Sequence, residues 1–306
     1  MNFKEKKLAI VILSYNTKKL LKNCLDGLTK QIGKENNPEI IVVDNGSTDG
    51  SKKMINDQWP MVKLIANDRN LGFCAGNNVG IRYALAQGHD YIMILNSDTI
   101  IKDAFWEFLV DFLEKNKEVG IVTPKIYFAP GHEYHKKRYS KSQQGKVIWS
   151  AGGVFDWDNV IGANRGVDDV DQGQYDQPAE VDFVSGCCLL ARTKVWQQAN
   201  FLDEKYFMYY EDTDFCQKAK RAGWKVFCIP GSCLYHLNAG SSQVGGSLQD
   251  YFITRNRLLF GLRFAPLRAR LALIRESGRL LISGRKWQKQ GTRDFYLRRF
   301  GRGSWK

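Results

Sequence analysis

The sequence predicts an open α/β fold on a parallel sheet. Three apolar runs that stop abruptly at polar residues predict it. Leu8–Leu13 opens into Ser14-Tyr15-Asn16-Thr17, and Glu39-Ile40-Ile41-Val42-Val43 stops at Asp44-Asn45-Gly46-Ser47-Thr48-Asp49-Gly50. The run Ile92-Met93-Ile94-Leu95 ends in Asn96-Ser97-Asp98-Thr99. Helical spacing follows the strands: Leu20, Leu21, Cys24, Leu25 and Leu28 form one stripe, and Ala84 and Leu85 belong to another helix. Alternating strands and helices imply parallel pairing with right-handed crossovers. The three polar strand ends then meet at one edge, outside the carboxyl ends of the strands, where open sheets bind ligands. A carboxylate such as Asp98 at that edge can hold a divalent cation against a diphosphate. On its own the same pattern also suits a helix cap.

Further strands are expected at 61–66, 119–123, 181–190 and 225–229. Residues 128–180 lack periodicity and carry glycines, aspartates, His132, His135 and the cluster Lys136-Lys137-Arg138. They read as a mobile loop with a hairpin around Trp149–Val154 that contributes to a substrate site.

Composition narrows the class. A chain of 306 residues with 43% hydrophobic and 25% charged residues is an ordinary globular protein with a sizeable core. Seven scattered cysteines without a C-x-x-C pair argue against zinc ribbons and disulfide frameworks. They read as reduced thiols of a cytosolic protein, with Cys187-Cys188 as core filler in the run Val181–Ala191. No signal peptide and no membrane-spanning segment are expected. The net charge of +13 is not evenly spread: residues 250–306 hold 15 Lys+Arg and 3 Asp+Glu, a net of +12. Such asymmetry points to an anionic surface as partner.

A second acidic cluster, Glu211-Asp212-Thr213-Asp214, follows the aromatic run Phe207-Met208-Tyr209-Tyr210. Helical spacing at Phe215, Ala219 and Ala222 places the acids at a helix N-terminus, where the dipole favours negative charge. Capping accounts for one carboxylate and not comfortably for three. His236 lies just past the strand 225–229, in the turn Tyr235-His236-Leu237-Asn238.

Taken in order, these motifs resemble the family 2 glycosyltransferases. The series runs from Ser14-Tyr15-Asn16 through Asp44–Gly50, Asn70-Leu71-Gly72-Phe73 with Gly76-Asn77-Asn78, and Asn96-Ser97-Asp98. It continues with Glu211-Asp212-Thr213-Asp214 and His236 with Gly240-Ser241. The similarity covers about residues 7–260, and the rhamnosyltransferase-like branch matches best. The resemblance implies a GT-A fold, a nucleotide-diphosphate sugar donor and inversion at the anomeric carbon. It implies that Tyr15 stacks on a pyrimidine base, that Asp44 accepts from the base's ring N–H, and that Ser14, Asn16, Asn45, Gly72 and Asn77 help bind the nucleotide. Asn96 stands where the family often has Asp, which suits contact with the ribose or a metal-bound water. Asp98 and His236 match the metal ligands. Asp212 matches the general base, supported by Glu211 and Asp214. A carboxylate, an imidazole and diphosphate oxygens suit Mn²⁺ or Mg²⁺.

The expected organisation is a catalytic domain over 1–249, with a nucleotide-binding half at 1–125 and an acceptor-binding half at 126–249 that contains 128–180. A basic amphipathic helical tail follows at 250–306. In the tail Leu267, Leu271, Ile274 and Leu281 form one stripe and Arg268, Arg275 and Arg279 another. A membrane interface, packing on the body and a dimer contact all fit that pattern; the charge favours anionic lipid. The enzyme is then expected on the cytoplasmic face of the membrane, transferring rhamnose or another hexose to a saccharide acceptor, lipid-linked as among the relatives it resembles, in surface polysaccharide synthesis. A nucleotidyltransferase would show a Gly-rich basic phosphate loop after the first strand, and Ser14-Tyr15-Asn16-Thr17 is not one. A nucleic-acid binder would account for the tail but not for acids at strand ends. A non-catalytic sugar-nucleotide-binding module remains the other reading.

Overall fold

The computed structural model describes residues 6–33, 37–238 and 246–305. Its first half is the expected parallel sheet. Strands β1 (Leu8–Ser14), β2 (Glu39–Asp44), β3 (Lys63–Ala66) and β4 (Tyr91–Asn96) alternate with helices α1 (Lys18–Lys30), α2 (Ser51–Gln58) and α3 (Gly72–Ala86). The spatial order is β3-β2-β1-β4, all parallel. The chain therefore reverses direction across the sheet between β1 and β4, which opens a crevice at their carboxyl ends. Register aligns Ser14 with Asp44 and Leu13 with Asn96, so the polar strand ends do meet at one edge.

Both faces of this sheet are covered. Ala9 and Val11 pack with α3, whereas Ile10 and Ile12 pack with α1 and α2. Burial on both sides is why these strands read as continuous apolar runs rather than as alternating ones.

Beyond β4 come β5 (Thr99–Ile100), α4 (Trp106–Lys115) and β6 (Val119–Phe128). Asp98 lies in the turn between β4 and β5, so it does not cap the next helix. Residues 128–180 are more built than the sequence suggested. They contain β7 (Ile148–Ser150), β8 (Gly153–Asp156), β9 (Ile161–Asn164) and β10 (Ala179–Glu180). Trp149 belongs to β7, which pairs with β6, and the hairpin is the next one along, β8 with β9. The segment is no free loop: buried Lys125 forms ion pairs with Asp171 at 2.7 Å and Asp176 at 2.6 Å, fastening it to β6.

The expected strand 181–190 is also displaced. Strand β11 runs Cys188–Arg192, between β4 and β6 and antiparallel to both. Val181 and Val184 are buried without being strand, and burial alone makes such a segment read like one. Then follow α5 (Thr193–Gln198), α6 (Glu211–Arg221) and β12 (Lys225–His236), which pairs parallel with β6 and antiparallel with β5.

The C-terminal helices are α7 (Ser247–Phe264), α8 (Leu267–Ser283) and α9 (Lys286–Tyr296). Leu258, Leu259 and Phe260 of α7 and Ala269 and Leu273 of α8 join the same hydrophobic cluster as Phe215 and Ala219 of α6. All seven cysteines are free, and Cys187 and Cys188 are buried as expected. No described helix is long and apolar enough to cross a membrane.

Candidate active site

The crevice at the β1–β4 switch is laced by its own polar residues. Ser14 Oγ lies 2.9 Å from Thr17 Oγ1, which in turn lies 3.2 Å from Ser97 Oγ across the crevice. Asn16 adopts φ +52°, accepts from the Thr48 N–H at 2.9 Å and donates its own N–H to Ser47 Oγ at 2.9 Å. This loop-to-loop contact leaves the Tyr15 ring exposed at the rim. Asp44 is fully buried; its Oδ1 accepts from the Ser47 N–H at 2.9 Å, and its Oδ2 has no partner among the described residues. An unmatched buried acceptor costs about 1–3 kcal/mol, which a ligand N–H would relieve.

Other predicted nucleotide contacts are internal. The buried Asn45 amide donates to Asn70 Oδ1 at 3.0 Å and the Gly72 carbonyl at 3.1 Å, and accepts from Asn67 and from the Leu71 N–H. It braces the 67–72 loop. Asn77 is buried within α3 and donates to the Phe73 carbonyl at 3.0 Å. Gly72 starts α3 at φ +84°, against the Phe207 ring.

The pairing of His236 with Thr99 across β12 and β5 places the imidazole beside Asp98. His236 Nε2 stands 3.1 Å from Asp98 Oδ1, and the buried Nδ1 has no partner among the described residues. The two groups are hydrogen-bonded to each other, and an imidazole nitrogen beside a carboxylate oxygen is also a donor pair that suits a divalent cation. The described residues hold no cluster of three or more metal-binding side chains. Gly240 and Ser241 lie outside the described residues.

The acidic cluster opens α6, and the loop before it is strained. Phe207, Tyr209 and Tyr210 have φ of +66°, +67° and +72°, a region that bulky residues rarely occupy. Two residues of α7 hold this loop. Asn256 Nδ2 points at the carbonyls of Tyr206 (3.0 Å), Met208 (2.8 Å) and Tyr209 (2.9 Å). Buried Arg255 donates to the carbonyls of Lys205 at 3.1 Å and Tyr206 at 2.9 Å. The Phe207 carbonyl in turn accepts from the Phe73 N–H at 2.8 Å, tying the loop to the start of α3.

The three acids differ. Asp212 accepts from the Gly186 N–H at 3.0 Å and the Thr213 N–H at 2.7 Å; burial pushes its pKa up against these bonds. Glu211 is buried with Oε2 unpartnered among the described residues, and burial plus neighbouring Asp212 pushes its pKa well above the usual range. Asp214 is fully buried and engaged by Tyr206 OH at 2.9 Å, Arg263 at 2.9 Å and Lys218 at 2.7 Å. Asp214 thus secures α6, and Asp212 is the acid that reaches open space.

That space is a cavity of about 570 Å³, lined by Asp212, Thr213, Trp149, Tyr209, Phe183 and Arg257 among others. Its volume falls within the usual range for small-molecule sites, about 300–1,000 Å³. Trp149 links it to the strand-end edge, because its ring lies 4.5 Å from that of His236. From the segment 128–180, Trp149, Ile161 and Asn164 line this cavity. Another part of the wall comes from Thr254, Arg257, Leu273, Glu276 and Leu280 of α7 and α8, so the basic amphipathic helices expected at 250–306 pack on the body with one face.

The sequence pattern of Glycosyl transferase family 2 matches residues 9–197, more than half of the chain. The chain is a family 2 glycosyltransferase. It is 26% identical over 258 residues to the low-salt glycan biosynthesis hexosyltransferase Agl10 of Haloferax volcanii, covering 82% of this chain and 74% of the relative. It is 27% identical over 249 residues to the N-acetylglucosaminyl-diphospho-decaprenol L-rhamnosyltransferase of Mycobacterium tuberculosis, covering 77% of each. Among solved structures it resembles GalNAc-T7 with UDP, GalNAc and Mn²⁺, with a TM-score of 0.61 at 15% identity. That alignment covers 95% of this chain and 57% of the other. The glycosyltransferase therefore has the GT-A fold.

In this enzyme the residues hardest to find from sequence are Arg255, Asn256 and Arg257. They form a plain polar stretch in α7, and only the packing of that helix shows that Arg255 and Asn256 hold the loop before Asp212 while Arg257 lines its cavity.

Proposed function

We propose that the enzyme inverts the anomeric centre as it transfers rhamnose or another hexose from a nucleotide-diphosphate donor to a saccharide hydroxyl, lipid-linked, in surface polysaccharide synthesis. The observation that carries this reading is the opening of Asp212 onto a cavity bounded also by Trp149, whose ring touches the imidazole of the Asp98–His236 pair. In this reading residues 1–125 hold the donor, with Tyr15 under the base and Asp44 Oδ2 accepting its ring N–H. Asn96, Asp98 and His236 face the diphosphate. A divalent cation, Mn²⁺ or Mg²⁺, bound by Asp98 and His236 would neutralise charge on the leaving diphosphate.

The acceptor hydroxyl attacks the anomeric carbon from the cavity side. Asp212 takes its proton as the new C–O bond forms, and the bond to the diphosphate oxygen breaks with its electron pair leaving on that oxygen. A single displacement inverts the anomeric carbon, and the positioned base contributes about 10²–10⁴-fold to its rate. The segment 126–249 and the inner faces of α7 and α8 then shape the acceptor's pocket. The relative from Mycobacterium tuberculosis, whose name specifies a lipid-diphosphate saccharide acceptor, supports a lipid-linked substrate.

A thermal-shift screen of nucleotide sugars with Mn²⁺, with Mg²⁺ or with chelator tests the donor side. A donor at about 100 times its Kd stabilises the fold by about 2.7 kcal/mol. We expect that shift to need metal and to vanish in Asp98→Ala. An undiminished metal-dependent shift in Asp98→Ala would remove Asp98 from the site.

A further inference from the structure

Helix α8 has three distinct faces. Its inner face carries buried Ala269, Leu273 and Ser277, and Leu273, Glu276, Ser277 and Leu280 line the cavity at Asp212. Its outer face carries Leu267, Leu271, Ile274 and Ile282, which are 71%, 59%, 46% and 81% exposed. These residues recur at helical spacing on one side. Beside them runs a stripe of exposed Arg268, Arg275 and Arg279. The only acid of α8, Glu276, sits on the inner side, paired with Arg257 at 2.8 Å. Tyr296, hydrogen-bonded to Ser277 at 2.6 Å, and Leu297 add exposed apolar groups beside the helix, and Arg298 and Arg299 follow them.

Single exposed aliphatic residues are common on soluble proteins, but a row of four without an acid among them marks an interaction surface. The flanking charge selects the partner. An apolar face edged by arginines matches the boundary between acyl chains and anionic headgroups, with the arginine stems lying along the apolar surface and their guanidinium groups at the phosphates. A second copy of the same face would bring arginines against arginines.

We infer that the outer face of α8 docks on an anionic lipid bilayer while its inner face walls the cavity at Asp212. An interfacial helix sinks about 5–10 Å and is about 10–12 Å across. The cavity then stands one helix thickness from the headgroups, within reach of a saccharide still attached to its lipid. The membrane contact is independent of the transfer reading; only the identity of what enters the cavity rests on it.

Co-sedimentation at physiological salt tests the contact. The full chain is mixed with vesicles of equimolar phosphatidylglycerol and phosphatidylcholine, or of phosphatidylcholine alone. It is compared with the triple variants L267Q/L271Q/I274Q and R268Q/R275Q/R279Q, whose altered positions are exposed and outside the cavity. The full chain should bind the anionic vesicles preferentially, and each triple variant should lower that affinity by about 100-fold. Unchanged melting temperatures and donor-induced shifts in the variants show that the site is intact. Equal binding by all three proteins, or no anionic preference in the full chain, would overturn the inference. So would light scattering that shows a dimer lost in L267Q/L271Q/I274Q without any vesicle binding, since the face would then belong to a second copy.

Discussion

Glu211 stands immediately before the proposed base, buried, with one carboxylate oxygen unpartnered among the described residues. Burial, then the neighbouring Asp212, raises its pKa well above the ordinary value. The unfolded chain loses this proton near pH 4.3, while the folded protein keeps it to higher pH. The stability tied to the proton is therefore complete below the unfolded pKa and is lost as pH rises through the folded one. Glu211→Gln keeps the shape without the titration. It should melt several degrees above the wild type at pH 8, with the difference closing toward pH 4. Parallel melting curves across that range, read by differential scanning fluorimetry, would contradict this account of Glu211.

At the scale of elements, the site depends on a strained loop held by a helix remote in sequence. Residues 205–210 carry three aromatic residues at positive φ, and Asn256 of α7 points at three of the loop's carbonyls. Asn256→Ala should cost about 1–3 kcal/mol, and turnover should fall more than donor affinity, because the loop sets the start of α6. Hydrogen exchange checks it: protection should drop in 205–212 and persist in β1 and β4. The parallel half was legible from sequence because β1, β2 and β4 each carry an apolar run that ends in polar residues. The strand at 188–192 was misplaced because Val181 and Val184 are buried in an irregular segment, and Ser185-Gly186 there turns to give Asp212 a backbone N–H. The hold on the 205–210 loop and the place of Arg257 in the cavity wall were not legible, since nothing local in Arg255-Asn256-Arg257 shows which carbonyls or ion-pair partner they meet.

Across the whole molecule, two bodies of residues meet at one place. The strand-end edge of the parallel half supplies Tyr15, Asp44 and Asp98, while β12, α6 and the C-terminal helices supply His236, Asp212 and the cavity beyond it. The order of motifs along the chain carried the family. The convergence of Asp98 with His236, and of Asp212 with Trp149 and Arg257, required the fold. The central claim is that Asp212 acts on the acceptor and not on the donor. The most direct measurement compares wild type with Asp212→Asn for donor-nucleotide affinity by calorimetry and for sugar transfer under saturating donor. The account predicts donor affinity within about twofold of wild type and turnover lower by about 10²-fold or more. Undiminished turnover in Asp212→Asn, or a loss of donor affinity as large as the loss of turnover, would contradict it.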